Sequence, residues 1–309
     1  MRHTDGVGSA LTTIGLPVAL GIIMFGLGLS LTLGDFGRVA KHPKAVLVAL
    51  ACQLVVLPAI CLGLVVLFQL PPVLAVGMML LAASPGGTTA NLYSHLFRGD
   101  VALNITLTAV NSVIAVFTLP LITNLAIAIF MPDGGQLGLQ WSKSLEVFAI
   151  VLVPVILGML VRRWKPGFAD RMDKPVRIAS MVILAVVIAG AVASNWAILR
   201  EHVGSLALIT VLFCLLSLTI GYFVPRLFRV ERRQAVASSF EIGIHNATLS
   251  IVIAQTVLGS VELSLPAAVY GVLMFVVAFG FGFLIRGRGG DRTDRPAQSP
   301  PEQVRESIA

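Results

Sequence analysis

Residues 83–96 read ASPGGTTANLYSHL and follow an apolar run, VLAVGMMLLA. The apolar run suits a helix, but Pro85 has no N–H to donate, and Gly86 and Gly87 are poor helix formers. A continuous helix through this stretch is therefore not expected. The sequence instead predicts two short helical pieces, separated by a polar break at residues 84–89.

The composition shows the environment of this break. Of 309 residues, 57% are hydrophobic and only 12% are charged, and the mean hydropathy is +0.93. A soluble domain carries about 25% charged residues. The apolar runs are continuous over about 20 residues, which is typical of membrane-spanning helices and not of the alternating strands of a β-barrel. We predict an all-α polytopic membrane protein with nine spans, at residues 11–34, 45–68, 73–96, 101–130, 144–161, 178–199, 203–228, 235–257 and 265–286.

The basic residues predict how the chain is oriented in the membrane. With nine spans, 19 of the 22 Lys and Arg residues fall on one side. Cytoplasmic loops carry this excess, so the N-terminus is expected outside and the C-terminus in the cytoplasm. The net charge of +7 therefore reflects topology, and no nucleic-acid partner is expected. The short loops favour a bacterial inner membrane.

A second break is predicted in the other half of the chain. Residues 241–249 read EIGIHNATL, and Gly243 lies between polar residues inside an apolar span. Among nine spans, the third and the eighth run in opposite directions. Two antiparallel broken helices are typical of inverted-repeat secondary transporters, whose binding site lies where the breaks cross near the middle of the membrane.

The eighth span also holds an acidic residue, Glu241, well inside the apolar region. A carboxylate there costs at least about 2.5–3.5 kcal/mol, and no Lys or Arg is expected in the middle of any span to offset it. We infer a mobile partner, Na⁺ or H⁺. The alternative is a protonated, purely structural glutamic acid bonded to a neighbouring helix.

Polar side chains in the other spans supply further oxygen atoms, which small hard cations prefer. Asn104, Thr108 and Ser112 are spaced four residues apart and form one stripe on the fourth span. The side chains selected as possible ligands, including two in the eighth span itself, are Gln53, Asn91, Asn104, Thr106, Thr108, Asn111, Ser112, Asn246 and Thr248.

Three stretches carry a resemblance to a known family. ASPGGTTANLYSHLFRGDVALNITLTAVNS, GIIMFGLGLSLTLGDF with KHPK shortly after it, and FEIGIHNATLSIVIA resemble the bile acid:sodium symporter family. The resemblance covers most of residues 17–285. It implies a panel domain and a core domain that holds two crossing broken helices, with an elevator-like or rocking motion between them. Family members have ten spans, or nine when the first is absent, as expected here.

The apolar runs and the change in composition at their ends divide the chain into three parts. Residues 1–10 form a short tail, residues 11–286 form the transmembrane transporter domain, and residues 287–309 form a charged, Pro/Gly-rich, disordered cytoplasmic tail.

The resemblance also implies two sodium sites. The first would use Asn91, Asn104, Thr108 and Glu241, and the second would use Gln53, Glu241, His245 and the carbonyls of Ile242 and Ile244. Two positions depart from the family pattern: Ala90 stands where serine is common, and His245 where glutamine is common. Neutral imidazole is a poor ligand for Na⁺ and titrates near neutrality, so two outcomes are open: the second site is lost, or a protonatable group replaces it. The further alternative is that His245 is only a packed polar residue.

The substrate is expected beside the crossing, near Thr88, Thr89 and Asn246. Helix N-termini at the breaks offer free N–H groups that suit a carboxylate or a sulfonate. Family substrates are bile acids and small organic anions such as pantoate-like and keto acids. The last span, YGVLMFVVAFGFGF, offers no Asn or His, so any substrate contact there would be apolar.

The leading hypothesis is a sodium-coupled symporter of an organic anion, and the main alternative is a proton-coupled carrier that uses Glu241 and His245. Related arsenite carriers are expected to have a cysteine in the first broken helix, where this chain has Ser84. An enzyme is disfavoured, because neither H-E-x-x-H nor G-x-S-x-G occurs. A receptor of the same fold would bind without transporting. The particular anion, the ion stoichiometry and the oligomeric state do not follow from the sequence.

Overall fold

The computed structural model describes residues 16–132, 141–194 and 196–286. Within these ranges the chain is helical and contains no strand, only one isolated β-bridge. The α-helices are α1 Leu16–Ser30, α2 Leu33–Gly37, α3 Pro43–Ala51, α4 Leu57–Leu67, α5 Pro72–Ala83, α6 Thr89–Leu96, α7 Val101–Phe130, α8 Trp141–Trp164, α9 Pro166–Ser194, α10 Trp196–Leu227, α11 Arg232–Gly243, α12 Ala247–Val252 and α13 Leu265–Arg286. Two π-helical turns, Cys52–Val56 and Ile253–Val257, continue α3 into α4 and extend α12.

The apolar helices define a polytopic membrane protein. Among the described residues, four helices are long and apolar enough to cross a membrane alone: Pro43–Leu67, Val101–Phe130, Trp196–Leu227 and Glu262–Arg286. A bent pair, Leu20–Ser30 and Leu33–Ala40, raises that number to five. Helices lie at all nine predicted positions, but the others are short, broken or more polar, so the nine-span count remains a prediction.

Both predicted breaks are present. α5 ends at Ala83 and α6 begins at Thr89, while α11 ends at Gly243 and α12 begins at Ala247. The two breaks meet in an antiparallel β-bridge between Gly86 and His245. They therefore cross, as the sequence predicts.

The sixth apolar segment begins earlier in the structure than in the sequence prediction. The apolar pattern places its start at residue 178, whereas α9 begins at Pro166. Charged residues interrupt the apolar pattern of the added segment, namely Asp170, Arg171, Asp173, Lys174 and Arg177. The ion pair between Arg162 and Asp170 joins this part of α9 to the end of α8. The hydrophobic pattern marks only the apolar part of a longer helix. The predicted tails, residues 1–10 and 287–309, lie outside the described ranges.

The helices pack as two groups. α1 packs mainly on α8 and α9. A small apolar cluster of Leu29 on α1 with Ala169 and Val176 on α9, against which Val161 of α8 packs, joins these three helices. The other long helices pack around α5, α7, α10 and α11. α1 and α8 approach so closely that a Cβ at Gly28 would collide with the backbone of Val155, and one at Gly158 with the backbone of Phe25 and Gly28. Small residues permit such close helix contacts in membranes.

This close contact yields a stability prediction. We expect Gly158→Ala to destabilise the protein by about 1–3 kcal/mol, because backbone atoms of α1 must move to make room for the methyl group. Gly21→Ala on α1 is the matched control, since a Cβ there meets nothing within 4 Å. It should leave stability unchanged or raise it slightly, because alanine favours helix. Thermal unfolding in detergent measures both; equal effects of the two variants would contradict the close contact.

Candidate functional site at the crossing of the broken helices

Glu241 lies in the last turn of α11 and is 0% exposed. Thr108 Oγ1 donates a hydrogen bond to Glu241 Oε2 at 2.6 Å, and Asn111 Nδ2 approaches Oε1 at 3.4 Å. Within the part of the chain that the structure describes, ion pairs join only Arg38 to Asp35 and Arg162 to Asp170. The buried carboxyl group thus has polar neighbours but no basic partner there.

Gly86 forms one wall of the Glu241 site. A Cβ at Gly86 would collide with the carboxyl carbon and both oxygens of Glu241. The same residue pairs with His245 in the β-bridge. Only glycine therefore lets the first break approach the carboxyl group so closely while it contacts the second break.

The breaks satisfy each other's backbone groups. Gly87 N donates to Ile244 O at 2.7 Å, and Asn246 N donates to Pro85 O at 2.9 Å. Asn246 Oδ1 accepts from Leu249 N at 3.0 Å and caps α12. These bonds hold the two breaks together, although neither break is helical.

The predicted polar stripe on α7 faces this crossing. Asn104 Nδ2 donates to Ser94 Oγ and to Ala237 O, both at 2.8 Å, and so ties α7 to α6 and α11. Thr108 Oγ1 also lies 3.0 Å from Asn104 O, and its single proton serves either that carbonyl or Glu241. Ser112 bonds only to the carbonyl of Thr108 within its own helix.

Several amide oxygens in this region are buried and lack a hydrogen-bond partner. They belong to side chains on three elements around the crossing: the π-turn after α3, α6 and α7. These atoms are Gln53 Oε1, Asn91 Oδ1, Asn104 Oδ1 and Asn111 Oδ1. Buried oxygens are normally paired, so an unpaired set favours a missing donor or cation. The described ranges contain no group of three or more His, Cys, Asp or Glu side chains arranged to hold a metal ion.

Gln53 and His245 meet at a second polar point. Gln53 Nε2 donates to Ser84 O at 3.0 Å, and His245 Nδ1 lies 3.2 Å from the same oxygen. A carbonyl only accepts, so this contact requires a proton on Nδ1. In the neutral ring Nε2 then carries a lone pair, and this buried atom has no partner.

Aromatic rings enclose His245, which is 1% exposed. Its ring stacks on Phe213 with centroids 5.4 Å apart and meets Tyr270 edge-on at 5.5 Å. Tyr270 also donates from its hydroxyl to Gly243 O at 2.9 Å, which satisfies the end of α11. The last apolar helix therefore reaches the crossing through Tyr270, a contact that the search for Asn or His in that helix misses.

The predicted sodium-site residues thus fall into two neighbouring clusters. Thr108, Asn104 and Glu241 are joined by contacts, whereas Gln53 and His245 share Ser84 O. Ile244 O is engaged by Gly87 N, and Ile242 is fully buried. The sequence reasoning gave Asn111 no role at Glu241, although its position three residues after Thr108 is a usable signal.

A cavity of about 270 Å³ lies between α1 and the first break. Thr88 lines it, with Asn91 beside it, but Thr89 and Asn246 do not. Ser30 and His95 add polar groups that the sequence reasoning did not select. The full lining is Ile23, Gly26, Leu27, Ser30, Thr88, Asn91, Leu92, His95, Val101, Ile105 and Val176.

This architecture defines a class: a polytopic helical membrane protein with a polar centre where two interrupted helices cross. The sequence pattern of the Sodium Bile acid symporter family matches residues 17–202. The chain belongs to this family, which confirms the resemblance found in the sequence. Because it is a family of transporters, the expectation that the chain is not an enzyme is also confirmed.

Three relatives illustrate the range of the family. The chain is 25% identical over 279 residues to the rice protein named probable sodium/metabolite cotransporter BASS2, chloroplastic; the match covers 90% of this chain and 65% of the rice protein. It is 26% identical over 264 residues to the uncharacterized sodium-dependent transporter YocS of Bacillus subtilis, with 83% and 78% covered. It is 25% identical over 243 residues to the human ileal sodium/bile acid cotransporter, and the match covers 78% of this chain and 68% of the human protein. The chain thus spans about two thirds of the length of the rice protein.

The tight contact at Gly86 yields a prediction for the site. We expect Gly86→Ala to lower stability by about 1–3 kcal/mol and to abolish any function of the crossing, since the methyl group displaces the Glu241 carboxyl group. Gly87→Ala is the matched control, because its Cβ would meet its nearest atom at 3.4 Å, an ordinary contact. Thermal unfolding and transport in proteoliposomes measure the difference; a Gly86→Ala protein as active as Gly87→Ala would show that the close approach is dispensable.

Proposed function

We propose that the protein is a secondary transporter that couples the uptake of a small organic anion to Na⁺ by alternating access. The observation that carries the proposal is the buried Glu241 carboxyl group, which has no basic partner among the described residues and lies in a region rich in unpaired amide oxygens. The names of the rice, Bacillus and human relatives support sodium coupling.

The first ion site is proposed at Glu241, Thr108, Asn104 and Asn91, with Asn111 added from its contact with Glu241. A carboxylate buried without a counter-charge is strongly disfavoured, and a bound monovalent cation removes that cost. The unpaired Oδ1 atoms of the three asparagines suit a hard cation. When Na⁺ leaves, a proton on Glu241 is the remaining way to neutralise the group.

The second ion site is proposed around Gln53, Glu241 and His245 with the carbonyls of Ile242 and Ile244. Here the unpaired Nε2 of His245 supports the alternative in which a proton replaces one Na⁺. The imidazole nitrogen is a weaker partner for Na⁺ than oxygen, and aromatic rings on two sides limit its movement.

Alternating access is proposed to occur between the two groups of helices. α1, α8 and α9 correspond to the panel, and the helices around the crossing correspond to the core. The cavity between α1 and α6 opens at the boundary of these groups, where relative movement changes access. Residues 11–286 would form this transporter domain, with nine spans, an outside N-terminus and a cytoplasmic C-terminus in a bacterial inner membrane.

The substrate is proposed to bind in the cavity beside Thr88, which precedes the first turn of α6. The N-terminus of this helix carries positive partial charge and favours a carboxylate or sulfonate. A volume of about 270 Å³ is at the small end for ligand pockets, which favours a keto acid or a pantoate-like anion over a bile acid. Thr89 and Asn246 are proposed to act by shaping the breaks at the edge of the cavity.

Sodium binding is testable without knowledge of the substrate. At about 100 mM Na⁺, a site with a Kd of about 10 mM stabilises the folded protein by about 1.4 kcal/mol. We expect Na⁺, compared with K⁺ at equal ionic strength, to raise the unfolding temperature of the wild type and not that of Glu241→Gln. Glu201→Gln, which removes an exposed carboxylate, is the control and should keep the shift. A sodium-specific shift that survives in Glu241→Gln would refute this ion site.

Substrate binding is tested at two adjacent threonines. In proteoliposomes that take up a labelled keto acid, pantoate or a bile acid, we expect Thr88→Val to raise KM roughly tenfold or more, because a hydrogen bond to a charged group contributes about 1.5–3 kcal/mol. Thr89→Val removes the same hydroxyl outside the cavity lining and should change KM much less. Equal effects would place the substrate elsewhere.

The same uptake assay separates the two coupling ions. Uptake that stops without Na⁺ supports sodium coupling. Uptake that persists without Na⁺, follows an imposed pH gradient and is lost in His245→Gln supports the proton-coupled alternative.

A further inference from the structure

A second cavity, of about 250 Å³, lies where α3 and α11 begin, away from the crossing. The KHPK segment (residues 41–44), which leads into the first turn of α3, and the turn between α10 and α11 form its walls. Its lining is Lys41, His42, Pro43, Lys44, Ala45, Arg229, Val230, Glu231 and Gln234. This cavity has no role in the proposed transport cycle.

The charge of the cavity is positive and is not neutralised internally. Lys41, Lys44 and Arg229 line it, whereas Glu231 is its only acidic residue. In the ranges that the structure describes, none of these three basic side chains forms an ion pair. Three unpaired cations around one cavity provide an attractive field for an anion.

Two helix N-termini add to this field. α3 begins at Pro43 and α11 begins at Arg232, and neither preceding residue caps its helix through its side chain. The first turns of both helices thus lie beside the same cavity, and the positive partial charge of helix N-termini favours anions.

A buried hydrogen bond holds the two helix starts together. Gln234 is only 7% exposed, and its Nε2 lies 2.9 Å from His42 Nδ1. An amide nitrogen only donates, so Nδ1 accepts, and a neutral His42 carries its proton on Nε2. This hydrogen bond fixes the position of the cavity wall and leaves the Nε2–H group of His42 as one more donor.

Apolar side chains beside the cavity indicate the source of the anion. Leu47 lies three residues after Lys44, on the same side of the helix, and is 66% exposed. Phe228 precedes Arg229 directly and is 52% exposed. Because the span Pro43–Leu67 starts at this level, the cavity lies where a membrane helix meets the headgroup region.

We propose that this cavity binds the phosphate group of an anionic phospholipid, whose acyl chains lie along the exposed apolar side chains of Leu47 and Phe228. Lys41, Lys44 and Arg229 neutralise the phosphate, and the two helix N-termini orient it. A free phosphate ion shares the chemistry of the headgroup but makes no use of the apolar surface.

The test uses the full-length protein purified in a zwitterionic detergent. Short-chain phosphatidylglycerol, short-chain phosphatidylcholine and inorganic phosphate are each titrated, and binding is followed by thermal unfolding and by native mass spectrometry. The variant Lys41→Gln/Lys44→Gln/Arg229→Gln is compared with Lys165→Gln/Arg171→Gln/Lys174→Gln, which removes three exposed charges from another surface. The single variants Lys41→Gln and Arg229→Gln serve if the triple variant does not fold.

We expect saturable binding of phosphatidylglycerol and little binding of phosphatidylcholine. From the contribution of each basic residue near a membrane surface, the cavity variant should weaken phosphatidylglycerol binding by roughly 100-fold, and each single variant by roughly fivefold. The control variant should change it less than about threefold, since screening limits distant charges.

Each arm has a defined meaning. Binding of phosphatidylglycerol that is tighter than binding of inorganic phosphate and is lost in the cavity variant supports the proposal. Binding of inorganic phosphate with equal affinity overturns the lipid assignment, because the acyl chains would then contribute nothing. Equal weakening by the cavity and control variants, or equal binding of phosphatidylcholine, overturns it.

Discussion

Everything at the centre of this protein depends on two backbone hydrogen bonds, from Gly87 N to Ile244 O and from Asn246 N to Pro85 O. In a membrane interior an unpaired backbone group costs several kcal/mol, so neither broken helix is stable alone. Each break supplies the partners that the other lacks. The site is therefore stable only when the two halves of the chain pack together.

The crossing in turn decides what Glu241 can do. Gly86 packs against the carboxyl group, and Thr108 and Asn111 hold it from α7, so water and basic side chains have little room around it. A charge in such a place needs a cation or a proton. The surrounding amide oxygens suit a cation at Glu241, whereas the proton-coupled alternative relies on the unpaired Nε2 of His245 in the second break. This contrast is the physical basis of the two coupling hypotheses.

Two features away from the crossing restrict movement: the close packing of α1 on α8, and the basic cavity at the start of α3. In the proposed transport cycle, a group of helices that moves against its neighbours needs rigid internal contacts. Gly28 and Gly158 provide such contacts, because they let the backbones of α1 and α8 approach directly. The proposed lipid phosphate would fix the starts of α3 and α11 at the membrane surface. Both features therefore restrain helices outside the crossing. The cavity beside Thr88 lies at the boundary of the two helix groups.

The sequence by itself determined the all-helical membrane class, both breaks, the buried acid and the family, because proline, glycine and charge have strong local costs in an apolar span. It also marked Asn104 and Thr108 by helical spacing. Only the tertiary structure decided that Asn111 contacts Glu241, that Tyr270 and Phe213 enclose His245, and that Thr88 lines the cavity while Thr89 does not. Those facts depend on how separate helices rotate and pack against one another, and a local pattern along one chain segment does not encode that rotation.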